Sequence, residues 1–94
     1  MKTVYISGGI TGVDNYIDNF HKAAKRLASK GYIPVDPCSL PHNHNQTYED
    51  YMKEDLQALL KCDAIFMLPG WKNSKEATLE YKTAMLCGID QIVG

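Results

Sequence analysis

Thr3-Val4-Tyr5-Ile6-Ser7-Gly8-Gly9 opens the chain as a β-branched and aromatic run that stops at a glycine pair. Branched and aromatic side chains favour the pleated, packed conformation, and glycines let a chain turn sharply, so the stretch reads as a buried strand ending in a tight loop. A second run, Asp63-Ala64-Ile65-Phe66-Met67-Leu68, is apolar at nearly every position and is bounded by Pro69-Gly70. Such continuity is what a strand shows when both of its faces are covered, so this segment is the expected centre of a parallel sheet.

The intervening sequence changes period. Tyr16, Ile17, Phe20, Ala23, Ala24, Leu27 and Ala28 recur at helical spacing, with Asp14 or Asn15 as N-cap and Gly31 at the end. Tyr32-Ile33-Pro34-Val35 is a short strand, and its proline removes a ladder donor, which suits an edge. Asp36 to Gln46 reads as an irregular loop. Thr47 with Asp50 resembles a capping box opening a second helix whose stripe is Tyr48, Tyr51, Met52, Asp55, Leu59 and Leu60. Asn73 or Ser74 caps a third helix reaching about Cys87 and stopped by Gly88, and Ile89 to Val93 forms a last strand.

Strands alternating with helices imply right-handed crossovers, and the simplest arrangement is strand order 2-1-3-4. The expectation is a small three-layer α/β domain, flavodoxin- or Rossmann-like, with helices on both faces of a parallel sheet. In this order the chain reverses direction across the sheet between strands one and three, and ligands of open α/β sheets bind beyond the strand carboxyl ends at that switch. Ser7 to Gly12 and Pro69 to Ser74 are therefore the expected walls of a pocket.

Bulk properties bound the function. Ninety-four residues, 45% hydrophobic and 22% charged, suffice for one core, so residues 1–94 are read as one domain. Domains this small often complete a core or site against a second copy, which points to a homo-oligomer, dimer or higher. Ten basic against eleven acidic residues give a formal charge of -1 without a basic run, which argues against extended nucleic acid as a partner. No apolar stretch approaches the roughly 18 residues of a membrane helix, and no targeting segment precedes the first strand, so a cytoplasmic protein is expected. Cys38, Cys62 and Cys87 fit no metal-ligand spacing and read as small buried hydrophobes.

Some polar residues occupy places that need a reason. Asp55 lies on the apolar stripe of the second helix, and Glu80 lies among Ala77, Tyr81, Ala84 and Gly88 on the third. Two inward carboxylates resemble the pairs that work at an anomeric carbon. Gly8, Gly9 and Gly12, around Ile10 and Thr11, allow close backbone approach to a ligand. Ser74 is either a simple N-cap or a binder of an anionic group at a helix N-terminus. Glu76, three residues after Asn73, reads as the far half of a capping box turned outward. Trp71 either stacks on a base or covers the core edge. His42 and His44, without acidic or thiolate companions, make a poor metal site and belong to a loop over the pocket; His21 reads as solvated.

Taken together, Tyr5-Ile6-Ser7-Gly8-Gly9-Ile10-Thr11-Gly12, Asp55-Leu56 with Cys62-Asp63-Ala64, Leu68-Pro69-Gly70-Trp71 and Ser74-Lys75-Glu76-Ala77-Thr78-Leu79-Glu80 resemble the DUF4406 family, within the nucleoside 2-deoxyribosyltransferase-like superfamily. The resemblance covers nearly the whole chain. It implies that Glu80 is the nucleophile toward the anomeric carbon of a 2-deoxynucleoside, with Tyr5 orienting it and Asp55 assisting with sugar or base. It also implies that Ser74 contacts a 5′-phosphate, since the nucleotide hydrolase branch carries serine there and the transferase branch an acidic residue. Gly9 stands where the family usually has proline, and Glu76 where glycine is usual.

The resulting expectation is cleavage or transfer of the N-glycosidic bond of a 2′-deoxynucleoside 5′-monophosphate through a deoxyribosyl-Glu80 intermediate, without metal or redox cofactor. Ser7, Gly8, Gly9, Ile10, Gly12, Gly70, Trp71 and Ser74 would hold the substrate. The rival expectation is a non-catalytic nucleotide-binding sensor; a purely structural assembly subunit leaves the two inward carboxylates without a purpose.

Overall fold

The computed structural model describes residues 1–40 and 45–93. Strand β1 (Thr3–Ser7) leads through the glycine loop into helix α1 (Tyr16–Ser29), and strand β2 (Ile33–Val35) follows. A 3₁₀ turn, Pro37–Ser39, follows β2 and precedes helix α2 (Tyr48–Leu60). Strand β3 (Ala64–Met67), a second 3₁₀ turn at Trp71–Asn73, helix α3 (Lys75–Leu86) and strand β4 (Asp90–Ile92) complete the order. The four strands are parallel in the order β2-β1-β3-β4, as the pattern predicts.

The pleat divides the interior in two. Val4 and Ile6 of β1 point to one face, where they pack with Ala64, Phe66 and Leu68 against Phe20, Ala23 and Leu27 of α1. Tyr5 points to the other face, where it meets Ile65 and Met67, Leu59 of α2 and Ala77 and Ala84 of α3. The register sets Tyr5 beside Ile65 and Ser7 beside Met67, so alternate residues of the two central strands share a face. β1 and β3 are buried almost throughout, whereas β2 and β4 have the exposed residues of sheet edges.

Helix ends follow local chemistry. Thr47 and Asp50 form the reciprocal capping box at the start of α2. Ser74 caps α3, its hydroxyl accepting from the Ala77 N–H at 3.1 Å. Asn15 precedes α1 in a left-handed conformation and makes no side-chain cap.

The apolar stripes read from periodicity run slightly too long. Leu60 and Ala28, at the helix ends, are exposed, because each directly follows a buried residue, Leu59 or Leu27, and is turned about 100° away from the covered face. Gly88 does not face the sheet; it lies past the end of α3 in the left-handed conformation that closes the turn into β4. Among the cysteines only Cys62 is buried, while Cys87, at the C-cap of α3, is exposed. His21 is not merely solvated: its Nε2 lies 3.5 Å from Oδ2 of the buried Asp36, which also accepts from the Cys38 N–H at 2.8 Å. His42 and His44 lie outside the described residues.

Candidate active site

A cleft of ≈ 380 Å³ opens beyond the carboxyl end of β1. The first turns of α1 and α3 and the first half of α2 surround it, and Pro37 and Cys38 close one side. Three carboxylates, from Asp55, Glu76 and Glu80, line it together with Tyr5, Tyr16, Tyr48 and Tyr51. No lysine, arginine or histidine borders the cleft among the described residues.

Glu80 lies at its base, 5% exposed. Ala77, Glu80 and Ala84 form the buried face of α3, and the two alanines let the helix approach the sheet closely enough for a short carboxyl to reach it. Tyr5 and Ser7, two residues apart on β1, present hydroxyls to that same side. The Tyr5 hydroxyl donates to Glu80 Oε2 at 3.0 Å and the Ser7 hydroxyl to Oε1 at 2.6 Å, so each carboxyl oxygen is held by its own donor. Burial pushes the Glu80 pKa up to about 7, against the pull of the two hydroxyls, and the negative charges of Asp55 and Glu76 push in the same direction as burial. Tyr5 is raised above the ordinary phenol range by burial and by the neighbouring Glu80, so it stays protonated and donating. A carboxylate poised near neutrality, fixed at both oxygens and open to a cleft, is suited to nucleophilic or acid/base chemistry.

Glu76, one turn earlier on α3, is placed differently from the outward cap expected of it. It borders the cleft, accepting from the Tyr48 hydroxyl at Oε1 and from the Ser74 hydroxyl at Oε2, the latter at 3.3 Å. The Tyr48 bond pulls its pKa below the ordinary carboxylate range, while the same bond raises Tyr48 to about 12. The proton therefore stays on Tyr48 and the charge on Glu76. Ser74 Oγ, accepting from Ala77 and donating to Glu76, has its hydrogen and one lone pair engaged within the protein. A phosphate at Ser74 would meet a carboxylate instead of a free donor, which counts against the 5′-phosphate contact expected there.

Of the expected first wall, Gly8, Ile10 and Thr11 border the cleft, but Gly9 and Gly12 do not. Ser7, expected to hold substrate, is fully buried and turned to Glu80. The glycines also answer to the fold. A Cβ on Gly8 would fall 2.8 Å from both Cβ and Cδ1 of Leu68, and Gly12 adopts φ 75° in the turn before α1.

The second wall departs further. Of Pro69 to Ser74 only Ser74 reaches the cleft; Gly70 makes a left-handed turn that starts the 3₁₀ segment. Trp71 covers the core edge, its ring 4.7 Å from that of Tyr81, and borders a different groove beside Phe66 and Ile92. The wall opposite the glycine loop is supplied by Tyr48, Tyr51, Met52 and Asp55 of α2. Their helical spacing by itself predicts a core stripe; the presence of two tyrosines and an aspartate among its apolar positions is the signal of a face that is only partly covered.

A family model described as a domain of unknown function, DUF4406, matches residues 2–93. The chain belongs to this family. Among solved structures, this DUF4406 chain is similar to a 2-deoxyribosyltransferase from the psychrotolerant bacterium Bacillus psychrosaccharolyticus, whose description presents it as a biocatalyst for the synthesis of antiviral and antitumoral nucleosides. The TM-score is 0.74 at 17% identity, over 95% of this chain and 69% of that one, which establishes a shared fold. No curated protein matches the chain. Among the described residues of this DUF4406 member, no cluster of side chains suited to a metal occurs, and no helix is long and apolar enough to cross a membrane.

Proposed function

We propose that this DUF4406 protein cleaves or transfers the N-glycosidic bond of a 2′-deoxyribonucleoside, with Glu80 as nucleophile. The observation that carries the reading is the buried Glu80 carboxyl, held at both oxygens by Tyr5 and Ser7 at the base of a cleft. The fold shared with a 2-deoxyribosyltransferase supports the same chemistry.

A Glu80 oxygen attacks the anomeric carbon, the bond to the base nitrogen breaks, and the base departs with the bonding electrons and takes up a proton. Water or a second base then attacks the same carbon and frees the carboxylate, so the sugar is hydrolysed or passed on. Tyr5 and Ser7 fix the direction of attack and restrain rotation of the carboxyl, which is the positional part of the catalysis. Their hydrogen bonds also favour the ionised form that the attack needs. Asp55, on the opposite wall, supplies a polar group for the sugar or base within a lining otherwise rich in aromatic and apolar surface.

The test is to incubate the purified protein with a panel of 2′-deoxynucleosides and their 5′-monophosphates and to follow free-base release chromatographically, with Glu80→Ala as control. Release that vanishes in the variant supports the assignment. Binding without release by the wild type would replace it with a non-catalytic sensor.

A further inference from the structure

We infer that Glu76 sets the charge of the substrate: it makes the cleft accept a deoxynucleoside with a free 5′-hydroxyl and reject the same molecule carrying a 5′-phosphate. The inference rests on the glycosidic reading of Glu80 and adds the substrate class to it.

Glu76 and Glu80 lie four residues apart on α3, so both face the cleft one turn apart, about 6 Å along the helix axis. That separation is comparable to the distance from the anomeric carbon of a deoxyribose to its 5′ oxygen. With Glu80 at the anomeric carbon, the sugar can lie along α3 with its 5′ end beside Glu76. Tyr48 and Ser74 both donate to Glu76, which holds its carboxylate at the wall and keeps it charged across the neutral range. A 5′-hydroxyl has a hydrogen to give to that carboxylate. A phosphate dianion has none, and it brings up to two negative charges to a lining that already has three carboxylates; the nearby cation, Lys75, stands over the Tyr48 ring and does not border the cleft.

Ser74 does not rescue the phosphate. The N-terminus of α3 is an ordinary place for an anion, but here the protein's own Glu76 occupies that electrostatic role, and the Ser74 hydroxyl caps the helix instead of facing outward.

The experiment is equilibrium dialysis of the four common 2′-deoxynucleosides and their 5′-monophosphates against the wild-type protein and Glu76→Gln, with base release measured in parallel. The wild type should bind its best nucleoside at least ~100-fold more tightly than the corresponding monophosphate. Glu76→Gln, which keeps the shape and removes the charge, should narrow that ratio by ~10-fold or more. Raising salt from low to high concentration on the wild type should also narrow it, because this half-exposed charge is open to screening; this arm stands even if the variant does not fold. Tyr48→Phe removes a donor but leaves the charge, and it should keep the preference for nucleoside.

A wild-type protein that binds the monophosphate as well as the nucleoside, or a ratio unmoved by both salt and Glu76→Gln, overturns the inference. Base release that persists in that case leaves the glycosidic reading intact. Binding of neither ligand, with no release, removes both.

Discussion

Replacing Glu80 by Gln should make the protein more stable at neutral pH, and the gain should depend on pH. The Glu80 carboxyl has its pKa raised by burial from an ordinary 4.5 to about 7. Between these values the folded chain holds a proton that the unfolded chain has released, so stability falls as pH rises through that window. At roughly 1.36 kcal/mol per pH unit, the ionised group costs the folded state about 3 kcal/mol by pH 8, while at pH 4.5 little of that cost is present. Gln has no such ionisation. Its amide also packs differently from a carboxyl, but that contribution is common to both pH values and drops out of the comparison. Urea denaturation of wild type and Glu80→Gln at pH 4.5 and pH 8 gives the required double difference. The variant's advantage should be larger at pH 8 by about 3 kcal/mol. A difference below ~1 kcal/mol, or one of opposite sign, would show that burial does not hold Glu80 in its acid form and would refute the reasoning.

Two further perturbations bear on the same residues and their frame. Since attack requires the ionised carboxylate, the rate of base release should climb with pH and level off above about 7, and Tyr5→Phe should move that rise to higher pH because it deletes a bond favouring the charged form. A pH profile of turnover checks this, and an unshifted rise would leave Tyr5 without the assigned role. Gly8→Ala should destabilise the fold by about 1–3 kcal/mol, because the added methyl would meet Leu68 at 2.8 Å where the loop packs on the β3 end; urea denaturation reads the loss directly.

How far the sequence disclosed this arrangement depends on the kind of signal. The strand order was legible because β1 and β3 are apolar for reasons of double coverage, while the proline of β2 marks an edge. Glu80 stood out because a carboxylate among alanines on a sheet-facing stripe is costly to bury without partners, and Asp55 because it interrupts an apolar face. The tie between Ser7 and Glu80 follows from the period of two that links Ser7 to Tyr5, yet seryl hydroxyls at strand ends serve many ends, and the sequence does not choose among them. Trp71, expected among the residues that hold the substrate, packs at the core edge instead, beside the ring of Tyr81 ten residues later on α3, a pairing its local sequence does not announce. The orientation of Glu76 was hidden most deeply. Its partner Tyr48 comes from another helix, 28 residues away, and pairings of that kind leave no local trace.

The alternation of β1 separates two kinds of freedom along adjacent residues. Val4 and Ile6 answer only to the packing beneath α1, while Tyr5 and Ser7 answer to the carboxyl of α3. Volume-conserving exchanges on the first face can therefore tune how well the protein tolerates heat while the reactive geometry stays in place. Directed selection for stability would be expected to accumulate changes at the even-numbered positions of this strand, and selection for new acceptors to spare Tyr5 and Ser7 and work instead on the α2 wall. In one five-residue strand, durability and chemistry can be inherited separately.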